Sequence, residues 1–177
     1  MMQMLDAGGL PPKTDAQRVA DEDNPKGYYE WEDIKRLKTK PTILLEDGLE
    51  EKAIKAVTMV LEDLPFAHNY KVIFMNRPIE EVVASQTKML TRDGTPETED
   101  GNQDRMRMEM LRHRVSARRR LEANPRAEVL DVDYPSLIEN PIEMSQLIAE
   151  FLGSERIANP EAMSAVVDPS LYRQKTS

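Results

Sequence analysis

The sequence predicts a single α/β domain built on a parallel sheet with helices on its faces. Between residues 53 and 153, short apolar runs of strand length alternate with segments of helical periodicity. Such alternation is typical of βαβ units. A length of 177 residues suits one domain with one sizeable core, and no internal repeat divides it. We therefore expect one domain over residues 1–177.

Three apolar runs have the length and composition of buried strands: AIKAV (53–57), YKVIFM (70–75) and AEVLDVD (127–133). The second run is rich in the β-branched and aromatic residues that strands favour. Between the first two runs, Leu61 and Leu64 predict a short helix or a turn. We expect the three strands to pair in parallel, because helical segments separate them.

Five further segments have apolar residues at helical spacing, namely 1–7, 30–38, 78–90, 104–123 and 141–153. The first is stopped by Gly8-Gly9, and the third opens at Pro78, which suits the first position of a helix. Three segments are predicted to be irregular: 10–29, 39–50 with a turn at Asp47-Gly48, and the acidic stretch 91–104, which we expect to be a mobile loop.

Composition excludes several classes of protein. The chain has no cysteine, which rules out disulfide frameworks, thiolate metal sites and cysteine nucleophiles. Its only histidines are His68 and His113, too few for a multi-histidine metal site. The net charge of −8 argues against a broad surface for nucleic acids. No apolar run is long enough to span a bilayer and no secretory signal opens the chain, so we expect a cytoplasmic protein.

Arg77 is the first candidate for a binding residue. It follows the apolar run 70–75 directly and precedes the helix predicted from Pro78. The carboxyl ends of strands face the ligand crevice in open α/β sheets, and the start of a helix favours anions. A guanidinium there can hold two phosphate oxygens at once. The alternative is a surface arginine paired with a neighbouring glutamate, and the residues alone leave both interpretations open.

The segment KVIFMNRPIEEVVASQTKML, residues 71–90, resembles the nucleotide-binding signature of the sulfotransferase family. These enzymes transfer a sulfuryl group from 3′-phosphoadenosine 5′-phosphosulfate. In this signature an arginine at the end of a strand and a serine in the following helix bind the 3′-phosphate. Arg77 and Ser85 stand at the spacing that the family has. The resemblance therefore implies that Arg77 and Ser85 bind the 3′-phosphate of this nucleotide.

A second block, VLDVDYPSLIENPIEMSQLIAEFLG (129–153), is similar to the family's later strand and helix, and the resemblance puts Tyr134 beside the adenine ring. Looser similarity to bacterial members covers 21–32 and 166–174. The family resemblance implies a three-layer P-loop-NTPase-like parallel sheet flanked by helices. It also implies a hydroxyl or amine acceptor on a small molecule or glycan, and transfer without a metal ion.

The chain departs from the family where the phosphosulfate should bind. No Gly-rich phosphate loop occurs in the sequence, and MMQMLDAGGL looks like the helix that follows such a loop. We therefore expect an N-terminally truncated version of the fold, in which activity is in doubt. A small kinase is disfavoured by the same missing loop.

The catalytic residues are also incomplete by comparison with the family. Many members carry Lys-Thr-His where this chain has IKAV, which makes Lys55 a candidate cation and puts Val57 where the histidine would be. The alternative for Lys55 is a strand lysine that reaches the surface. Glu30 is a candidate base that could accept the acceptor's proton.

A second functional hypothesis comes from RMRMEMLRHRVSARRR, residues 105–120, which holds seven arginines and one glutamate. Such a helix could bind an anion, or it could be a solvated basic face opposite a Met-rich stripe. His113 is expected to be a helix-face residue. The alternative to an enzyme is thus a non-catalytic sulfotransferase-like domain that binds a partner through this basic helix.

Overall fold

The computed structural model describes residues 1–15, 27–46, 48–92 and 100–172. Within these ranges the fold is mixed α/β. The strands are β1 (Tyr70–Asn76) and β2 (Ala127–Asp133). The helices are α1 (Met2–Gly8), α2 (Thr58–Leu61), α3 (Ile79–Arg92), α4 (Asp100–Glu122), α5 (Tyr134–Glu139), α6 (Pro141–Leu152) and α7 (Pro160–Ala165). Short 3₁₀ helices cover Glu32–Arg36, Pro41–Leu45 and Pro169–Leu171.

The two strands pair in parallel, with Tyr70 opposite Ala127 and Asn76 opposite Asp133. This confirms the predicted strands at 70–75 and 127–133. Because the strands are parallel and in register, their carboxyl ends lie side by side, and the segments that follow them begin at one edge of the sheet. Arg77 and Tyr134 are the first residues after the two strands.

The strand predicted at 53–57 is wrong. In the described part of the chain this segment forms a single parallel bridge, between Ala53 and Pro12. The Ala53 amide donates to the Pro11 carbonyl over 3.0 Å. The ladder does not continue toward residue 57, because the next amide of the partner segment, that of Asp15, donates to the Glu30 carbonyl over 3.2 Å instead. Val57 is 57 % exposed, so the apolar run does not enter a buried sheet either.

Two apolar clusters pack against the sheet, and they use alternate residues of its strands. Ile73 and Val132 belong to one cluster, with the buried side chains of α1, α6 and α7. Phe74 and Val129 belong to the other, with buried residues of α4 and of the segment 31–49. Since successive strand residues point to opposite faces, the sheet is covered on both sides.

The predicted helix at 1–7 is confirmed and ends at Gly9, whose φ of 107° is the left-handed conformation that glycine adopts readily. Its neighbour Gly8 is needed for a different reason. A Cβ at Gly8 would lie 2.7 Å from the Met163 Cγ, so α1 approaches α7 too closely for a side chain.

Three predicted segments differ at their bounds. The helix predicted from Pro78 begins at Ile79, and the 30–38 pattern forms the 3₁₀ helix Glu32–Arg36. The predicted loop over 91–104 is wrong at both ends, because α3 continues to Arg92 and α4 begins at Asp100. The polar residues at 100–104 are compatible with the start of a helix as well as with a loop. Residues 93–99, the centre of that prediction, lie outside the described residues, as do most of 10–29.

Candidate functional site

Arg77 and Tyr134 meet at the carboxyl ends of the two strands. Arg77 joins β1 to α3, and Tyr134 is the first residue of α5 after β2. The guanidinium carbon of Arg77 lies 5.0 Å from the centre of the Tyr134 ring, within the range of a cation–π contact. Two residues that the sequence singled out, 57 positions apart by number, are thus neighbours at one edge of the sheet.

Arg77 is also half of an ion pair with Glu81, one turn into α3. Its Nε donates to Glu81 Oε2 over 2.9 Å. The alternative interpretation expected this pairing with a neighbouring glutamate, but on the surface; here the Glu81 side chain is only 2 % exposed and that of Arg77 is 26 % exposed. In the described part of the chain the guanidinium makes no second hydrogen bond, so its two Nη groups remain without a protein acceptor there.

Tyr172 completes this group from the far end of the described chain. Its hydroxyl donates to Glu81 Oε1 over 2.7 Å. Its ring is edge-on to Tyr134 at 5.2 Å and lies 5.6 Å from the Arg77 guanidinium. The hydrogen bond to Glu81, followed by burial and the Glu81 charge, raises the pKa of Tyr172 to about 12. We call Arg77, Glu81, Tyr134 and Tyr172 the Arg77 cluster.

Two arginines of α4 border the Arg77 cluster. Arg118 holds Asp131 through two bonds of 3.1 and 2.9 Å, which pairs its charge. Arg114 instead donates to the Asn76 amide oxygen over 2.6 Å and lies 3.5 Å from the Arg77 carbonyl. Both of these acceptors are neutral, and no carboxylate of the described residues pairs with Arg114. Arg114 is therefore a positive charge at this edge that no described carboxylate pairs, although Asp133 lies at the same end of the sheet.

Ser85 lies on α3 with an exposed side chain. Among the described residues, no hydrogen bond or ring contact joins it to Arg77 or Tyr134. The structure thus brings together Arg77 and Tyr134 but not Ser85. Glu81 could have been found from its helical spacing from Arg77. Tyr172 could not, because the sequence gives no distance between residues so far apart.

Lys55 and Glu30, the two catalytic candidates, meet elsewhere in the described chain. The Lys55 Nζ donates to Glu30 Oε1 over 3.3 Å and to the Tyr28 carbonyl over 2.9 Å. It also lies 5.7 Å from the centre of the Tyr28 ring. The two side chains are partly exposed. An ammonium and a carboxylate are therefore adjacent and open to solvent, although the segment of Lys55 is not the strand that was predicted.

An open depression of about 450 Å³ is lined by Gln3, Asp6, Ala7, Tyr29 and Val166. Tyr29 has a φ of 53°, which residues with a side chain seldom adopt and which stores strain. Burial raises the pKa of the Tyr29 hydroxyl, and the charge of Asp6 adds to this effect. The patterns in the sequence did not single out Tyr29.

His113 links α4 to Glu62, just after α2. Its Nδ1 lies 2.5 Å from Glu62 Oε1, and its Nε2 lies 3.2 Å from Arg112 Nη2. A guanidinium can only donate, so Nε2 accepts and the ring proton sits on Nδ1, which donates to Glu62. This hydrogen bond is the main reason why the pKa of Glu62 is lowered. His113 connects two helices in this way.

Within the described ranges, no group of three or more His, Asp or Glu side chains is placed to hold a metal ion. None of the helices in those ranges is both long and apolar enough to cross a membrane. No protein-family model matches this chain, and no curated protein or solved structure matches it.

Proposed function

We propose that this chain is a sulfotransferase-type domain that binds the 3′-phosphoadenosine part of 3′-phosphoadenosine 5′-phosphosulfate at the carboxyl ends of β1 and β2. The observation that carries the proposal is the contact of the Arg77 guanidinium with the Tyr134 ring, at 5.0 Å. A ligand that joins a phosphate to a purine ring can be bound by a cation and an aromatic ring that lie close together.

The residues around this contact fit the nucleotide. The Arg77 Nη groups have no acceptor in the described chain, so they are available for phosphate oxygens. Arg114 adds a positive charge that no described carboxylate neutralises. The Tyr134 ring offers a face on which adenine can stack. In this proposal Ser85 contributes its hydroxyl only if the bound phosphate extends along α3, since Ser85 is exposed and does not contact Arg77.

The three-layer P-loop-like fold is part of the same proposal. What supports it is that apolar clusters cover both faces of the parallel pair β1–β2, with α1, α6 and α7 on one side and α4 on the other. Parallel strands buried on both faces are typical of doubly covered α/β sheets.

For the transfer itself we propose Lys55 and Glu30. When bound, the nucleotide would supply the sulfuryl group, with 3′-phosphoadenosine 5′-phosphate leaving as the bond from sulfur to the 5′-phosphate oxygen breaks. The Lys55 ammonium can stabilise negative charge that develops on the group in transfer, and Glu30 can take the proton of a hydroxyl or amine acceptor. Their own ion pair of 3.3 Å must open for this. The sequence has no Gly-rich loop to supply backbone N–H donors, so we propose that this chain binds nucleotide but transfers the sulfuryl group poorly.

The nucleotide site is tested by calorimetry on the full chain with 3′-phosphoadenosine 5′-phosphate and with adenosine 5′-phosphate. We expect the first to bind more tightly. Arg77→Gln is expected to remove about 1.5–3 kcal/mol of that preference, the range for a hydrogen bond to a charged group. Arg77→Lys is included because it keeps a charge beside buried Glu81, which protects folding, and we expect it to lose part of the preference.

The matched control is Arg105→Lys, which changes an exposed arginine on α4 that makes no ion pair with the described residues. It should leave both affinities unchanged. Equal binding of the two nucleotides by the unmodified chain would contradict the proposal, as would an Arg77→Lys variant that retains the full preference.

A second candidate function is favoured by the exposed face of α4. Arg105, Met108, Arg112, Val115 and Arg119 follow one another at alternating spacings of three and four, the pattern of a coiled-coil seam. Met108 is 65 % exposed and Val115 is 50 % exposed. The occupant that fits is an amphipathic helix with acidic residues opposite the arginines. Nucleic acid fits less well, because a phosphate backbone has no use for the apolar positions.

The probe for this second function is a synthetic helical peptide of about 21 residues, close to six turns, with leucine and glutamate in matching heptad positions. We expect Met108→Glu to abolish its binding, whereas Ile142→Glu, at a similarly exposed position on α6, should not. Failure of the peptide to bind would contradict this function. If the chain instead bound a DNA duplex in a salt-sensitive manner, this result would also contradict the second function.

A further inference from the structure

Glu81 is a buried carboxylate that must be satisfied inside the protein. Its side chain is 2 % exposed, and an ionised group removed from water to that extent needs charged or hydrogen-bonding partners. Both oxygens have one. Arg77 Nε donates to Oε2 over 2.9 Å, and the Tyr172 hydroxyl donates to Oε1 over 2.7 Å.

Because Glu81 bonds the Nε of Arg77, the orientation of the guanidinium is restricted. The guanidinium is planar and rigid, so a bond to Nε fixes the plane of the whole group. The rings of Tyr134 and Tyr172 lie 5.0 and 5.6 Å from its central carbon and limit its rotation further. Fixed in this way, Arg77 keeps both Nη groups for an external anion. Because Nε is occupied by Glu81, a forked pair of bonds to a phosphate requires both Nη groups.

We propose that Glu81, held by Tyr172, is a positioning residue that orients Arg77 to recognise the 3′-phosphate, so that the C-terminal segment containing Tyr172 is part of the nucleotide site. This inference rests on the nucleotide site proposed above. Glu81 acts through Arg77 and does not touch the ligand. Its carboxylate binds the side of the guanidinium that faces the protein.

Tyr172 has a defined task in this arrangement. It lies 91 positions after Glu81, so only a docked C-terminal segment can bring it there. A 3₁₀ helix, Pro169–Leu171, precedes Tyr172 and is capped by Asp168, whose carboxylate accepts from the Ser170 amide over 3.0 Å. The Tyr172 hydroxyl is protonated at neutral pH, as its role as donor requires, and its bond to Glu81 raises its pKa to about 12.

The experiment measures the ratio of the dissociation constants for adenosine 5′-phosphate and 3′-phosphoadenosine 5′-phosphate. We expect Glu81→Gln and Tyr172→Phe each to reduce this ratio by about tenfold, because the fork to the 3′-phosphate is no longer held in place. Affinity for adenosine 5′-phosphate, which lacks the 3′-group, should stay within about twofold. Tyr172→Phe keeps the ring and removes only the hydroxyl, so it remains informative if Glu81→Gln does not fold.

The matched control is Glu80→Gln, which changes the adjacent glutamate of the same turn. Glu80 is 49 % exposed and lies 3.6 Å from Arg107. It should leave the ratio unchanged. NMR titration of labelled tyrosine should show the pKa of Tyr172 falling from about 12 towards 10 in Glu81→Gln, since the bond to Glu81 is its chief cause.

The outcomes separate the two proposals. If Arg77→Lys reduces the ratio but Glu81→Gln and Tyr172→Phe do not, the positioning role is overturned and the nucleotide site stands. An unshifted pKa of Tyr172 in the unmodified chain also overturns the positioning role. If Arg77→Lys has no effect, both proposals fall.

Discussion

At the scale of single residues, neighbouring arginines of α4 have very different surroundings. Arg120 donates from Nε and Nη2 to the Leu64 carbonyl, over 3.0 and 2.6 Å. Its guanidinium also lies 4.1 Å from the centre of the Phe66 ring. Arg119 is exposed and makes no ion pair with the described residues. The arginine-rich composition of this helix therefore includes both structural and solvated side chains.

This contrast gives a stability prediction. Arg120→Ala should lower the free energy of unfolding by about 2 kcal/mol, because it leaves the Leu64 carbonyl without its charged donor and removes a cation–π contact. Arg119→Ala should change it by less than about 0.5 kcal/mol. Urea unfolding at neutral pH measures both. Equal effects of the two variants would show that the Arg120 contacts do not form.

The bond from His113 to Glu62 gives a pH prediction. The pKa of Glu62 is lowered from its ordinary value of 4.5. A carboxyl whose pKa is lowered by folding stabilises the protein above the unfolded pKa, and this contribution is lost as the pH falls through the folded pKa. Glu62→Gln should therefore cost about 1 kcal/mol at pH 7. The difference between the two proteins should vanish at pH values below the folded pKa of Glu62, where Glu62 is protonated and resembles glutamine.

Urea unfolding at a series of pH values measures this difference. Glu109→Gln is the control, because Glu109 is 59 % exposed and lies 3.8 Å from Arg112. It should show little effect at any pH. A Glu62→Gln difference that persists unchanged in acid would exclude the charge of Glu62 as its cause.

At the scale of elements, α5 and α6 differ in how their N-termini are capped. The Asp133 carboxylate accepts from the Ser136 amide over 3.0 Å and from the Ser136 hydroxyl over 2.8 Å. Asn140, at the same position before α6, makes no such side-chain bond. An N-cap bond satisfies one of the free amides of a first turn and favours the helix.

Asp133→Ala should therefore lower the free energy of unfolding by about 1 kcal/mol, the typical effect of losing an N-cap. Asn140→Ala should have less than half of this effect, since no bond is lost. Thermal unfolding of the two variants, followed by circular dichroism, compares them directly. A larger loss in Asn140→Ala would contradict the assignment of the caps.

At the scale of the whole molecule, nucleotide binding and sulfuryl transfer can be measured separately. We expect the 177-residue chain to bind 3′-phosphoadenosine 5′-phosphate and to show no sulfuryl transfer above background to a panel of phenols and sugars. The reason is the missing Gly-rich loop, because losing even one preorganised donor costs roughly 10²–10³ in rate. Robust turnover would mean that another segment holds the phosphosulfate.

Several local elements, among them β1, β2, α1 and α6, could be predicted from the sequence to within a residue of their bounds. The strands β1 and β2 follow from their apolar β-branched runs, and the end of α1 follows from Gly8-Gly9. A strand end followed by a helix start also predicted Arg77 as a candidate site residue, whereas Tyr134 was indicated only by the family resemblance. The apolar run at 53–57 predicted a strand wrongly, because the sequence did not show which segment would pair with it. The run joins no ladder because the Asp15 amide of its partner segment bonds the Glu30 carbonyl instead.

Only the tertiary structure decided which side chains meet. The burial of Glu81, the arrival of Tyr172 beside it, and the pairing of Lys55 with Glu30 join residues from separate segments. Periodicity reports which face of an element is buried, but it carries no information on what that face packs against. Hydrogen bonds between distant residues depend on how the helices settle on the sheet. The sequence by itself thus determined most of the local elements and the arginine at the end of β1. The packing of the helices on the sheet determined which side chains surround this arginine.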